Sequence, residues 1–198
     1  GMYGCIITPP TTEDGDLGVI FTHNEGYSTM CGHGIIGVTK VVIETGMINS
    51  IEGQNVVRID APAGRVTAFA EVKEGKVIKV DFENVPSFVY AQDVKVKVDG
   101  IGEIGVDIAY GGAFYVWVED EKLGVQVVPE QVDTLVRLGM EIKYKIMDQM
   151  KVVHPLEPEL CGIYGTIITA PVEKTAEGLV SKNCCIFADA QIDRSPTG

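Results

Sequence analysis

The sequence predicts an α+β fold in which β-sheet curls around a buried helix, and three features lead there. A polar, glycine-rich turn, Gly26-Tyr27-Ser28-Thr29-Met30-Cys31-Gly32-His33-Gly34, runs directly into residues 35–46, which have helix length and a good C′ stop in Gly46. From Asn55 onward, successive runs are rich in β-branched or aromatic residues and bounded by Gly, Pro or Asn. A second clear helix signal covers residues 129–150.

Taken in order, residues 3–8 and 17–22 read as strands, parted by Pro9-Pro10 and an acidic turn over 11–16. The carboxylates of that turn (Glu13, Asp14, Asp16) lack EF-hand spacing and a closing glutamate, so a solvated loop is expected there rather than a Ca²⁺ site. The apolar residues of 35–45 occupy most of the helix circumference, which predicts a helix buried on nearly all sides. Strands are expected over 56–61, 64–73, 76–82, 93–98, 102–110 and 113–119, with Glu74-Gly75 as a hairpin turn. The pair Gly111-Gly112 reads as a β-bulge, or else as a place where a ligand meets backbone. Glu121-Lys122-Leu123-Gly124 is the best domain boundary, giving a first lobe over 1–124 and a second over 125–198.

The helix over 129–150 opens with Pro129 at N1 and acidic Glu130 and Asp133 in its first turn. Val132, Leu135, Val136, Leu138, Ile142 and Ile146 form its apolar face. Residues 154–158 read as a rigid extended connector. Strands follow over 162–169 and 181–188, and residues 191–198 read as another strand followed by a polar turn. Strand neighbours face opposite ways, so only one of Cys184 and Cys185 is expected to point inward, and both read as structural.

A chain of 198 residues with 45% hydrophobic content can bury a substantial core as one large or two small domains. The formal net charge of -12, with Lys and Arg scattered, argues against nucleic acid or an anionic membrane as partner. It does not bar a small anionic ligand. No apolar run reaches the roughly 20 residues of a membrane span, and no signal-peptide pattern is visible. Five cysteines without a C-x-x-C pair argue against a disulfide framework or a zinc site and point to a reducing cytoplasm. Gly1 before Met2 reads as a tag scar. Both ends look cut: the chain starts inside a strand and stops at a helix entry.

Cys31 is the candidate reactive residue. A cysteine at a helix start sits beside unpaired backbone N–H groups and the positive end of the helix dipole, which favour the thiolate near neutral pH. The same N–H groups form a seat for a carboxylate or phosphate. The flanking glycines let backbone approach a ligand closely.

Residues 27–34 closely resemble the first active-site motif of the proline racemase family. Asp193-Arg194-Ser195-Pro196-Thr197-Gly198 resembles its second motif, and Gly112-Ala113-Phe114-Tyr115-Val116 a segment between them. The resemblance implies a diaminopimelate epimerase-like fold: two similar domains, each a β-sheet wrapped around a central helix, the second domain here truncated. It implies catalysis without pyridoxal or any other cofactor, no metal, a small imino-acid substrate, and an assembly for which a homodimer is open. In the family's racemases and epimerases the second motif carries a second cysteine; here that position is Thr197. A threonine hydroxyl is too weak an acid or base to replace a thiol. Threonine there resembles the trans-3-hydroxy-L-proline dehydratases, which need one base at the α-carbon and no reprotonation from the other face. The stretch Ser181-Lys182-Asn183, without a preceding histidine, is a further departure from the epimerases. By this resemblance Cys31 abstracts the α-proton, and the N–H groups of Gly32, His33 and Gly198 seat the substrate carboxylate. Asp193 holds the ring ammonium. Thr197 orients the substrate and hydrogen-bonds the leaving hydroxyl. The alternatives are a proline or hydroxyproline racemase or epimerase, and an incomplete fragment without activity.

Overall fold

The computed structural model describes residues 3–23, 25–176 and 178–195. The chain forms two compact units that divide between Pro86 and Ser87.

In the first unit, strands β1 (Gly4–Thr8), β2 (Leu17–His23), β3 (Gly26–Ser28), β4 (Gly53–Ala61), β5 (Gly64–Lys73) and β6 (Lys76–Glu83) form one sheet. Its order is β1-β2-β4-β5-β6, with β3 also paired to β2. Strands β2 and β4 are parallel, so the chain between them must cross over, and helix α1 (Gly32–Glu44) lies on that crossover. The alternation expected of a one-sided strand is clear in β5, where Val66, Ala68, Ala70 and Val72 are all buried. The turn Glu74-Gly75 has both φ values positive (52° and 71°), the backbone a two-residue type I′ hairpin needs.

Helix α1 packs against β1, β5 and β6 through Ile35, Val38, Thr39, Val42 and Ile43. It is not buried on nearly all sides. Ile36 is 41% and Val41 50% exposed, because the strands of this unit cover one face of the helix and leave the other open. The expected stop at Gly46 is present: its φ is 72°, and its N–H donates to the Ile43 carbonyl.

The second unit contains β7 (Phe88–Val98), β8 (Gly102–Tyr110), β9 (Phe114–Glu119), β10 (Gly165–Thr169), β13 (Asn183–Phe187) and β14 (Gln191–Ile192), in the order β14-β13-β10-β9-β8-β7. A separate hairpin pairs β11 (Glu173–Thr175) with β12 (Gly178–Val180). Strands β9 and β10 are parallel, and their crossover holds α2 (Asp120–Leu123), a 3₁₀ turn at Pro129–Gln131 and α3 (Val132–Gln149). The lobe boundary therefore does not lie at 124. Residues 121–123 belong to the short helix α2, with Gly124 as its left-handed stop, inside the crossover of a single sheet.

Three further expectations are corrected in this unit. Gly111 and Gly112 are not a bulge: with Ala113 they form the three-residue loop between β8 and β9, since Tyr110 pairs with Phe114. Register shifts occur instead in β7, around Asp93, whose φ is 53°. Residues 154–158 are not an extended connector. The imidazole Nδ1 of His154 accepts the N–H groups of Leu156 and Glu157, and a bridge between Val153 and Cys161 closes the loop. Cys184 and Cys185 are both buried, at 9% and 1% exposure. They do face opposite ways, but β13 is covered on both sides. Ile186, on the Cys184 face, packs under α3, and Phe187, on the Cys185 face, meets Tyr164.

The acidic turn over 11–16 is pinned rather than simply solvated. Asp60 of β4, 7% exposed, accepts the N–H groups of Thr11 (2.8 Å) and Thr12 (2.9 Å) and the Nε–H of Arg65 (2.8 Å). Arg65 also pairs with Asp14. Burial pushes the Asp60 carboxyl up, but the hydrogen bonds from Arg65, Thr12 and Thr11 outweigh it and hold the group well below the usual carboxylate range. A depressed folded-state pKa stabilises the fold above the unfolded carboxylate value of roughly 3.9, and this stabilisation is lost as pH falls below it. Asp60→Asn should therefore lower stability by about 2 kcal/mol at neutral pH, with the deficit shrinking in acid. Denaturant midpoints of both chains between neutral pH and the acid limit of folding check this; a deficit independent of pH would refute it.

Candidate active site

The reactive turn is fixed from below by the sheet of the first unit. Ser28 is buried, and its hydroxyl donates to the Met30 carbonyl at 2.9 Å. The Thr29 carbonyl accepts the N–H of Ala63, in the turn between β4 and β5, at 3.0 Å. These contacts deliver Cys31 to the N-cap of α1 in extended backbone (φ -148°, ψ 109°). Its carbonyl accepts the Ile35 N–H (2.9 Å), the first bond of the helical ladder, and its Sγ accepts the Gly34 N–H at 3.4 Å. Cysteine thus takes the place that Ser, Thr or Asp usually holds at a helix start. Cys31 as a whole is 8% exposed.

Gly32 and His33 are the first two helical residues, and their N–H groups precede the ladder of α1. Cys31, Gly32 and His33 are therefore together at one helix N-terminus. Packing requires a glycine at Gly34 and crowds the position of Gly32. A Cβ on Gly34 would meet Phe21 Cε1 at 2.6 Å and Cys31 Sγ at 3.2 Å, and one on Gly32 would meet Phe82 Cζ at 3.1 Å. Phe21 is fully buried, so it cannot yield.

Tyr3, expected only to begin a strand, belongs to this neighbourhood. Its ring lies 5.6 Å from that of His33 and 6.2 Å from that of His23, with Phe21 at 6.5 Å. The register of β1 on β2, Gly4 opposite Thr22, brings it there, and strand pairing between two short runs is not visible in a single sequence.

Asp193 is in the second unit, directly after β14. Its N–H donates to the Cys185 carbonyl (3.0 Å), and its carboxylate accepts the Ser195 N–H at 2.8 Å, an Asx-type turn. Thr197 and Gly198 lie outside the described residues.

Comparison with known proteins identifies the chain's relatives. A family model described as proline racemase matches residues 1–198. The chain belongs to the proline racemase family. It is 51% identical over 199 residues to a trans-3-hydroxy-L-proline dehydratase of Bacillus cereus, a match covering 100% of this chain and 58% of the relative. The same identity and shares hold for the protein of that name from Bacillus thuringiensis subsp. konkukian. A hydroxyproline epimerase from Agrobacterium vitis, solved with bound trans-4-hydroxy-L-proline, superposes with a TM-score of 0.88 at 31% identity, covering 97% of this chain and 55% of that one. The proline racemase fold expected from the two motifs is thus present. The chain spans somewhat more than half the length of the relatives it matches.

Two glycines of α1 should behave oppositely on replacement by alanine. Gly34→Ala drives a methyl into Phe21 and should lower stability by about 2 kcal/mol. Gly37→Ala, three residues on with open space around its Cβ, should raise stability by about 1 kcal/mol through helix propensity. Equilibrium unfolding of the two variants checks the pair, and equal effects would refute the packing role of Gly34.

Proposed function

We propose that these residues form part of an enzyme that dehydrates trans-3-hydroxy-L-proline to Δ1-pyrroline-2-carboxylate, with Cys31 as the base. The observation that carries this reading is the thiol at the N-cap of α1, with Sγ accepting the Gly34 N–H. A helix N-terminus favours an anion at that point, which is what a sulfur base must be. The names of the Bacillus relatives, at 51% identity, agree with it.

In this reading the substrate carboxylate lies on the N–H groups of Gly32 and His33, with Gly198 contributing a further donor. Asp193 accepts hydrogen bonds from the ring ammonium. The Cys31 thiolate takes the proton from the α-carbon, and the electron pair left there forms the double bond to C3. The C3–O bond breaks with its electrons. The departing hydroxide takes the proton now on the Cys31 thiol, which regenerates the thiolate, and leaves as water, Thr197 hydrogen-bonding the departing oxygen. The enamine product then moves one proton to become the imine. Charge that develops on the carboxylate as the α-proton leaves is what the helix N-terminus stabilises. No step needs a second thiol, in accord with Thr197 at the position where the family's racemases carry one. A thiolate base also needs a reducing compartment, and we place the enzyme in the cytoplasm.

The test is proton NMR in D₂O with trans-3-hydroxy-L-proline and with L-proline. It uses this chain and a chimera in which the chain replaces the matched segment of the Bacillus cereus relative. The chimera should form pyrroline-2-carboxylate from the 3-hydroxy substrate alone. Cys31→Ala should lower that rate by about 10³-fold, in the range of lost general-base catalysis. Inversion or α-deuteration of L-proline without elimination would overturn the dehydratase in favour of a racemase.

A further inference from the structure

The second unit contains a buried cation that its core packing does not call for. On α3 the inward face consists of Leu135, Leu138, Gly139, Ile142, Ile146 and Lys143, the last only 7% exposed. A leucine or methionine would fill that position without the cost of removing an ammonium group from water. Its Nζ donates to the Ala188 carbonyl at 2.8 Å, in a buried bond across 45 residues of sequence, and lies 5.5 Å from the centre of the Tyr144 ring.

Ala188 opens the loop between β13 and β14. That hairpin is held by two register pairs, Ile186 with Ile192 and Phe187 with Gln191. Its loop places two non-glycine residues in left-handed backbone, Ala188 at φ 48° and Ala190 at φ 57°. Such residues persist where surrounding contacts over-determine the conformation. Directly beyond β14, Asp193 donates to Cys185, and its carboxylate takes the Ser195 N–H. A short hairpin with a strained loop would not by itself fix the direction of that carboxylate.

The helix end of this arrangement is rigid. A Cβ on Gly139 would meet Ile186 Cδ1 at 2.8 Å, so helix and strand are in close contact. The fully buried Thr166 donates its hydroxyl to the Gly139 carbonyl at 2.8 Å. Lys143 stands one turn further along the same face and reaches past the end of β13.

We propose that Lys143 is a positioning residue: it ties the loop at Ala188 to α3 and so aims Asp193 at the substrate's ring ammonium. The assignment of Asp193 to that ammonium rests on the function proposed above; the tie itself does not.

The test has two arms. The first is amide hydrogen exchange by NMR in this chain, comparing wild type with Lys143→Met, which keeps the bulk and loses the donor. Exchange at Asp193 and Ser195 should accelerate at least tenfold, while Ile142 in α3 and Ile167 in β10 keep their protection. Uniform loss over all four amides would mark Lys143 as merely structural and overturn the proposal, as would no change at Asp193. Where Lys143→Met does not fold, Lys143→Gln, too short to reach the carbonyl, gives the same comparison. Adding Ala188→Gly, which removes the left-handed cost at that residue, should restore protection at Asp193. The second arm measures the chimera with trans-3-hydroxy-L-proline. Lys143→Met should raise KM about tenfold and change kcat less, as expected for a mis-aimed binding group; a loss confined to kcat would overturn the proposal. A wild-type chimera without activity would refute the dehydratase, and the exchange arm would still decide whether Lys143 holds the loop.

Discussion

The contact between the first turn of α1 and Phe21 determines the rest of the first unit. Phe21 is fully buried in β2, and the backbone of Gly34 lies where a methyl would strike its ring. That contact sets how far the helix start sinks toward the sheet. The position of the Cys31 sulfur follows, because Sγ is held by the Gly34 N–H. Ser28 and Thr29 bring the preceding backbone to the same point through bonds to Met30 and Ala63. The thiol is thus located by a packed strand and an extended N-cap, the rigidity that the proposed base would need to reach one carbon and not its neighbour.

The second unit repeats the device with different chemistry. Gly139 of α3 is pressed onto Ile186 as Gly34 is onto Phe21. In α1 the close approach serves a helix N-terminus, where backbone N–H groups are available to a ligand. In α3 it occurs mid-helix, where N–H groups are already spent on the ladder, and the polar work passes to side chains, Thr166 upward to Gly139 and Lys143 onward to Ala188. One unit has backbone donors and a thiol at a helix N-terminus; the other has a carboxylate directly after a short hairpin whose loop Lys143 contacts.

Local features were legible in the sequence, and pairings were not. Elements whose signal is self-contained stood out: the β runs, the stop at Gly46, the Glu74-Gly75 turn, the proline-led helix over 129–150, and the cysteine at a helix start. Two of the misread features depend on partners far along the chain. The boundary at 124 failed because nothing local reveals that β9 and β10 pair in parallel, which turns a glycine-ended segment into part of a crossover. Complete burial of α1 failed because apolar residues around a helix do not say how many faces a sheet will cover. Gly34 looked like room for a ligand and is also room for Phe21. Lys143 left no trace, since a lysine amid helix residues reads as a solvated face until its partner is known.

The cysteines show how environment, rather than residue type, separates the proposed base from the other thiols. Cys184 is buried in β13, and burial pushes its thiol up, toward the neutral form that neither takes protons nor attacks. Cys31 is about equally shielded from water, at 8% exposure against 9%. Shielding alone would give both the same fate. What separates them is the direction of the nearest dipoles. Cys184 lies in β13, paired antiparallel with β10, where strand dipoles largely cancel, whereas Cys31 is the N-cap of a 13-residue helix and its Sγ accepts the Gly34 N–H. At an N-cap, shielding from water strengthens the electrostatic pull of the helix terminus on any anion placed there, which is why the proposed base is Cys31 rather than Cys184.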